Sequence, residues 1–290
     1  MESFYQFAAL ISAATWATSG AFLKTMNFKK YFTFPFYEGV ISLFIVGFII
    51  LILQEWQPII NENFSNIIFF TIASTVSCIG TVFYVISIKQ NPIGITFTIC
   101  AVSTILMSLF LDLLLNGVKY NLWVFIGALI VLMSIFIINF ESFKDHKNKS
   151  IFGITGGIVA GSMWGIAVFF NDRALIESGI LTGAIIRAII TIFLLGVFSQ
   201  IINQKIEGTK DKKEITKIII AGSLITFSSL LWFLSLNTIS GSLTSIFGNT
   251  APVFAIIVGF FFLNEKIDKF EILGIIFAFL GIATIVIGKG

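Results

Sequence analysis

Three ionisable side chains stand inside otherwise apolar stretches of this 290-residue chain: Glu38, Asp112 and Arg187. A charge at the centre of a membrane-spanning helix costs about 2.5 to 3.5 kcal/mol on insertion scales, so such groups are functional candidates first. The chemistry they offer is ion pairing that latches a gate, with snorkelling toward the interface as the alternative. Asp112 reads as an anchored helix-end residue within reach of Lys119 or Lys89.

A second group combines hydroxyls with rings: Trp16, Cys78, Thr81 and Tyr84, then Ser103, Met107 and Ser108, then Trp164, Thr226, Ser229 and Trp232, then Ser245 and Asn249. At 3.6 residues per turn, Cys78 and Thr81 share a face, as do Thr226, Ser229 and Trp232 or Phe233. Hydroxyls and aromatic faces suit a polar organic solute, and a Trp or Tyr ring can hold a cation. Serine and threonine also bond helix to helix, which is the plainer use of any single one. Gly153, Gly157, Gly161 and Gly165 form overlapping GxxxG motifs, a seam for close helix packing. Pro252 removes one helical hydrogen bond and frees the carbonyl of Gly248, making Gly248, Asn249 and Thr250 either a polar break or a packing kink. The single histidine, His146, and the two cysteines, Cys78 and Cys100, lie far apart in sequence, so no metal and no cofactor is expected. The chain also lacks a GxxxxGK[ST] phosphate loop.

The elements that must position these residues are membrane helices. Hydrophobic residues make up 57% of the chain, charged residues 11%, and the mean hydropathy is +1.01, against roughly 25% charged in soluble domains. Apolar stretches long enough to cross a core of ~30 Å recur along the chain. They predict helices over 5–23, 33–53, 67–88, 92–115, 122–140, 152–171, 181–202, 216–236, 242–263 and 270–288. The fold class expected is all-α: ten transmembrane helices, split by a polar loop at 141–151 into halves spanning 1–140 and 152–290.

A shift of 148 residues aligns the halves. It lays Trp16 on Trp164, and Ala9, Ala13 and Ala17 on Gly157, Gly161 and Gly165. It also pairs Thr81 with Ser229, Tyr84 with Trp232, and Leu115-Asn116 with Leu263-Asn264. Each half has an odd number of crossings, so the second enters from the opposite side, giving an inverted repeat with a site near the midplane. Glu38 and Arg187 correspond at a shift of 149. Inversion then sets them near opposite faces, unable to pair with each other, and the expected partners are local: Lys24 for Glu38, and Asp172 for Arg187.

Fourteen of the 18 lysines and arginines fall in the odd-numbered loops, against Lys119, Arg173 and Lys289 on the other side. The positive-inside rule puts those loops in the cytoplasm and both termini outside. Aromatics near helix ends, Trp56, Tyr120 and Trp123, read as interfacial belt residues.

Several features resemble the drug/metabolite transporter superfamily, and within it the ten-helix EamA-type proteins. They are Trp16 with Lys24 eight residues on, Trp164-Gly165, Thr250-Ala251-Pro252-Val253-Phe254 leading into Leu263-Asn264-Glu265, and Gly274 with Gly281. The resemblance spans the whole chain. The first half departs from it, with Thr104 and Gly117 where the pattern has Pro and Glu. The resemblance implies cytoplasmic termini, opposite to the charge count. It also implies a secondary, non-ATP exporter of a small polar or amphipathic metabolite in the cell membrane. The alternatives are an importer or exchanger of an amino acid, quaternary amine or nucleotide-like compound, or a membrane-embedded enzyme. The partners expected are a small-molecule solute and the lipid bilayer, not nucleic acid. The sequence leaves monomer or homodimer open.

Overall fold

The computed structural model describes residues 2–115, 121–138, 151–203, 205–238, 248, 250–266 and 269–289. These residues form eleven helical segments and no strand. They are α1 (Glu2–Thr25), α2 (Thr33–Leu53), α3 (Trp56–Ile60), α4 (Phe64–Gln90), α5 (Ile93–Leu115), α6 (Leu122–Ile138), α7 (Ile151–Leu175), α8 (Ile180–Ile201), α9 (Lys212–Thr238), α10 (Ala251–Leu263) and α11 (Lys269–Lys289). Six of them, α2, α4, α5, α7, α8 and α9, are long and apolar enough to cross a membrane, and shorter apolar stretches lie within α6, α10 and α11. Helix is the form that satisfies every backbone donor and acceptor within the segment itself, as hydrocarbon requires. The sequence does not anticipate α3, five residues long with Pro58 inside it. Expected residues Ser245, Asn249 and His146 lie outside the described residues, as does most of the 141–151 loop.

The helices pack in both antiparallel and parallel neighbours: α7 runs antiparallel to α4 and parallel to α5. α4 and α5 both lie against α7, α1 lies against α9 and α10, α2 against α8, and α6 against α11. Small residues set these distances. A Cβ on Gly165 would come within 2.7 Å of the Met107 Cβ and 2.8 Å of the Thr104 carbonyl oxygen, and one on Gly161 would run into the Cys100 carbonyl. On the other side of the bundle, Ala9, Ala13 and Ala17 of α1 are fully buried. Gly127 and Gly281 close the α6–α11 contact backbone to backbone, each 2.7 to 2.8 Å from the other's carbonyl oxygen if a Cβ were added.

Pro252 lies in the first turn of α10, where a missing N–H costs nothing. The helix expected over 242–263 is therefore interrupted at Thr250, within the stretch where the sequence offers a polar break or a packing kink. Gly248 is helical, Thr250 is in a turn, and the proline opens a new helix at Ala251. At its other end α10 stops on Asn264 in the left-handed region (φ 53°). The Asn264 and Glu265 N–H groups both close back on the Gly259 carbonyl, the latter at 3.1 Å. The Asn of the Leu-Asn dipeptide thus ends the helix and aims the residue that follows.

Candidate solute cavity

One cavity of about 190 Å³ lies at the centre of the bundle. Its wall draws on Ser12, Ala13 and Trp16 of α1, Ser77, Thr81 and Tyr84 of α4, and Ala101 and Thr104 of α5. The rest comes from Trp164, Val168 and Asn171 of α7, Arg187 of α8, Ser228, Ser229, Trp232 and Phe233 of α9, and Gly248. Trp16 and Trp164 meet edge to face with centroids 5.2 Å apart, and Tyr84 lies 5.9 Å from the first and 5.4 Å from the second. Phe97 packs against Trp16 with centroids 4.5 Å apart and the rings tilted by 56°. Such contacts add about 0.5 to 1.5 kcal/mol each beyond area burial, so the four rings form a stiff floor.

That floor separates the cavity from the face where α1 and α4 end and α5 and α9 begin, here called the lysine face. Several ties close it. The Lys24 ammonium pairs with Glu265 and donates to the Asn91 carbonyl at 2.6 Å. The other Glu265 oxygen accepts the Ile93 N–H at 3.0 Å, a carboxylate on the positive end of α5. Lys89 donates to the Met26 carbonyl, just past the end of α1. Glu214 accepts from the Asn27 N–H at 3.1 Å and pairs with Lys217 at 2.9 Å. Glu207, in the loop before α9, accepts from the Lys29 N–H at 2.8 Å.

At the opposite, terminus face the described polar ties centre on Glu62. Its carboxylate accepts from Ser178 in the α7–α8 turn, from Asn66 at 2.9 Å and from the Asn63 N–H at 3.0 Å. Burial pushes this carboxyl upward. The hydrogen bonds from Ser178, Asn66, Asn63 and Thr182 outweigh it and hold the group below its ordinary value.

Between the faces, Arg187 pairs with Glu38 at 2.8 Å and donates to the Ser229 hydroxyl. This corrects the expectation that the two charges lie too far apart to meet, with Lys24 and Asp172 as their partners. Lys24 belongs to Glu265 and Arg187 to Glu38. α2 and α8 run antiparallel with Gly39 against Thr191 and Ile192. Glu38 and Arg187 are then offset by about five residues, roughly 8 Å at ~1.5 Å per residue. An extended Arg and a Glu span that offset together, whereas reckoning depth from helix ends leaves side-chain reach out.

Similarity to known proteins bears on what such a cavity is for. Residues 151–287 match the EamA-like transporter family. An Archaeoglobus fulgidus protein described as an uncharacterized transporter is 22% identical over 281 residues, 96% of each chain. A solved crystal structure matches the fold with a TM-score of 0.74 at 12% identity, covering 100% of this chain and 99% of that one. Residues 151–287 thus match an EamA-like transporter domain, and the chain over nearly its whole length is similar to a membrane transporter.

The fold gathers Trp16, Thr81, Tyr84, Trp164, Ser229 and Trp232 around the cavity. Ser103 faces elsewhere, against Gly161 in the α5–α7 seam. Asp172 follows the lining residue Asn171 near the end of α7. Sequence reasoning missed Ser12, Ser77, Thr104, Asn171 and Ser228 as lining, and Glu265 as a latch. The helical period carries the signal for three of them. Ser12 precedes Trp16 by four residues, Ser77 precedes Thr81 by four, and Asn171 follows Trp164 by seven, each on the face of a residue already singled out.

Proposed function

We propose that this transporter moves a small polar or amphipathic metabolite by alternating access, as a secondary exporter, from a site in the central cavity. The observation that carries the reading is that cavity: concave, ring-floored, and lined from α1, α4 and α5 on one side and α7, α8 and α9 on the other. At about 190 Å³ it falls below the ~300 to 1,000 Å³ of drug-sized pockets, which favours a small metabolite.

The packing supports two inverted five-helix halves, 1–140 and 152–290, because exchanging the halves maps the most extensive helix contacts onto one another. α1 lies on α9 as α7 lies on α4; α1 lies on α10 as α7 lies on α5; α2 lies on α9 as α8 lies on α4. α2–α8, α5–α10 and α6–α11 map onto themselves. In such an architecture the site sits where the halves meet, and rocking exposes it to each side in turn. The lysine face is tied shut, and the positive-inside rule makes it cytoplasmic, so this conformation reads as outward-facing in a cell membrane.

A thermal-stability screen of detergent-purified protein against amino acids, quaternary amines, nucleotide-like compounds and organic acids tests this reading. One class should raise the melting temperature by mass action. Proteoliposomes loaded with that compound should then release it without ATP. Release only when the compound is also outside would make the protein an exchanger. Binding with no flux in either direction would sink the transport mechanism.

A further inference from the structure

Resting on that reading, we propose that Arg187 is the docking point for a carboxylate on the transported solute, and that Glu38 stands in for that carboxylate while the cavity is empty. Arg187 lines the cavity, whereas Glu38 is 2% exposed and lies behind it. Among the described lining residues Arg187 alone is charged. The charge that a solute meets is therefore positive, which disfavours an ammonium group despite the surrounding rings. One guanidinium nitrogen donates to Glu38 and another to Ser229, leaving further donors of its five for a planar, bidentate acceptor. With a single cation in the wall, a monoanion is matched and a dianion is not. Ser77, Thr81 and Asn171 offer hydrogen bonds, and Trp16, Trp164 and Trp232 offer ring faces. The ligand class is thus a small organic monocarboxylate with an apolar or aromatic body.

The same contact couples binding to movement. Glu38 is on α2, Arg187 on α8 and Ser229 on α9, so the pair ties α2 to the opposite side of the bundle. A solute carboxylate that takes over the guanidinium leaves Glu38 buried and unpaired, a state with a large desolvation penalty. α2 relieves it by shifting until Glu38 reaches water. The empty carrier holds itself together with an internal copy of its own ligand.

Three isosteric probes test the proposal on protein in lipid nanodiscs: phenylacetate, the neutral phenylacetamide, and phenethylamine. Wild type should bind phenylacetate in preference to both others at millimolar concentration. Glu38→Gln removes the internal competitor and should tighten phenylacetate about tenfold or more while leaving phenylacetamide unchanged. Should that variant fail to fold, the double variant Glu38→Gln with Arg187→Gln carries neither charge and should bind phenylacetate no better than the amide. Equal binding of acid and amide by wild type, preference for the amine, retained acid preference in the double variant, or no binding of any probe each overturns the proposal. Flux of labelled phenylacetate, measured against protein-free liposomes, separates this from the transport reading. Acid-selective binding without flux overturns transport and leaves the Arg187 site standing. Flux with no acid selectivity does the reverse.

Discussion

The polar ties at the two ends of the bundle differ in chemistry. At the lysine face, cations sit on carbonyls where helices end and carboxylates sit where helices begin: Lys24 and Lys89 on the carbonyls of Asn91 and Met26, Glu265 on the Ile93 N–H. Each contact follows the helix dipole, and each joins residues distant in sequence. At the terminus face the Glu62 carboxylate ties to Ser178 and Asn66. The 148-residue shift sets Asp172 against Lys24 and Gly117 against Glu265, so the sequence has no second copy of the lysine–glutamate latch. The lysine-face gate is built on the Lys24–Glu265 ion pair, and Glu62 at the other end is held by neutral donors, so the two contacts should differ in strength.

The harshest way to break the comparison is to remove the seam that both ends share. Gly161→Leu drives a side chain into the Cys100 carbonyl and the Ser103 Cβ. Overpacking against backbone should cost more than about 3 kcal/mol, seen as loss of the monodisperse peak in size-exclusion chromatography. Gly47→Ala, with nothing within 4 Å of an added Cβ, should instead be neutral or stabilising by up to about 1 kcal/mol. Equal tolerance at the two positions would show that the seam does not set helix spacing.

Next comes the lysine-face latch. Glu265→Gln removes the charge that Lys24 and the Ile93 N–H share, a loss of about 2 kcal/mol for a charge-assisted bond. That is roughly a thirtyfold shift toward a lysine-face-open state. Because both native cysteines are buried, a reporter cysteine at Met26, 3% exposed, should react faster with a membrane-impermeant maleimide in the variant. An unchanged rate would mean that the ion pair does not hold this gate.

The terminus face should respond less, and to acid. The Glu62 carboxyl is held below its ordinary value of 4.5 when folded. Its contribution is therefore present above that value and fades as pH falls through the depressed folded value. A reporter cysteine at Ser178 removes one of the bonds itself, so the reporter belongs at Ile176, which is exposed. Labelling there should rise a few-fold in Glu62→Gln at neutral pH, and stay flat at the Met26 reporter.

The smallest effect is expected at the floor between the gates. The Tyr84 hydroxyl is buried with no protein hydrogen-bond partner, so Tyr84→Phe should change stability by less than about 1 kcal/mol, toward either stabilisation or neutrality. Tyr84→Ala removes a ring from the floor and should cost about 3 to 5 kcal/mol. A large loss in the phenylalanine variant would show that the hydroxyl has a role in the closed floor.

Much of this molecule is legible in its residues. The α2 boundaries, Thr33–Leu53, coincide with the hydropathy window, and those of α5 and α8 fall within one residue of theirs. Apolar length and backbone satisfaction are local properties, and a membrane enforces both. Six of the nine residues expected at a solute site line the cavity, because small, polar and aromatic positions on one helix face survive as a pattern in sequence. Ser103 departs because its helix turns that face to the Gly161 seam.

What the chain alone determines is therefore the helices and their small-residue faces. Only the tertiary structure decides that Glu38 meets Arg187 across 149 residues and that Lys24 meets Glu265 across 241. Those pairings depend on how far helices slide and rotate against neighbours remote in sequence, and on how far an Arg or Lys reaches from its backbone. Local periodicity records neither.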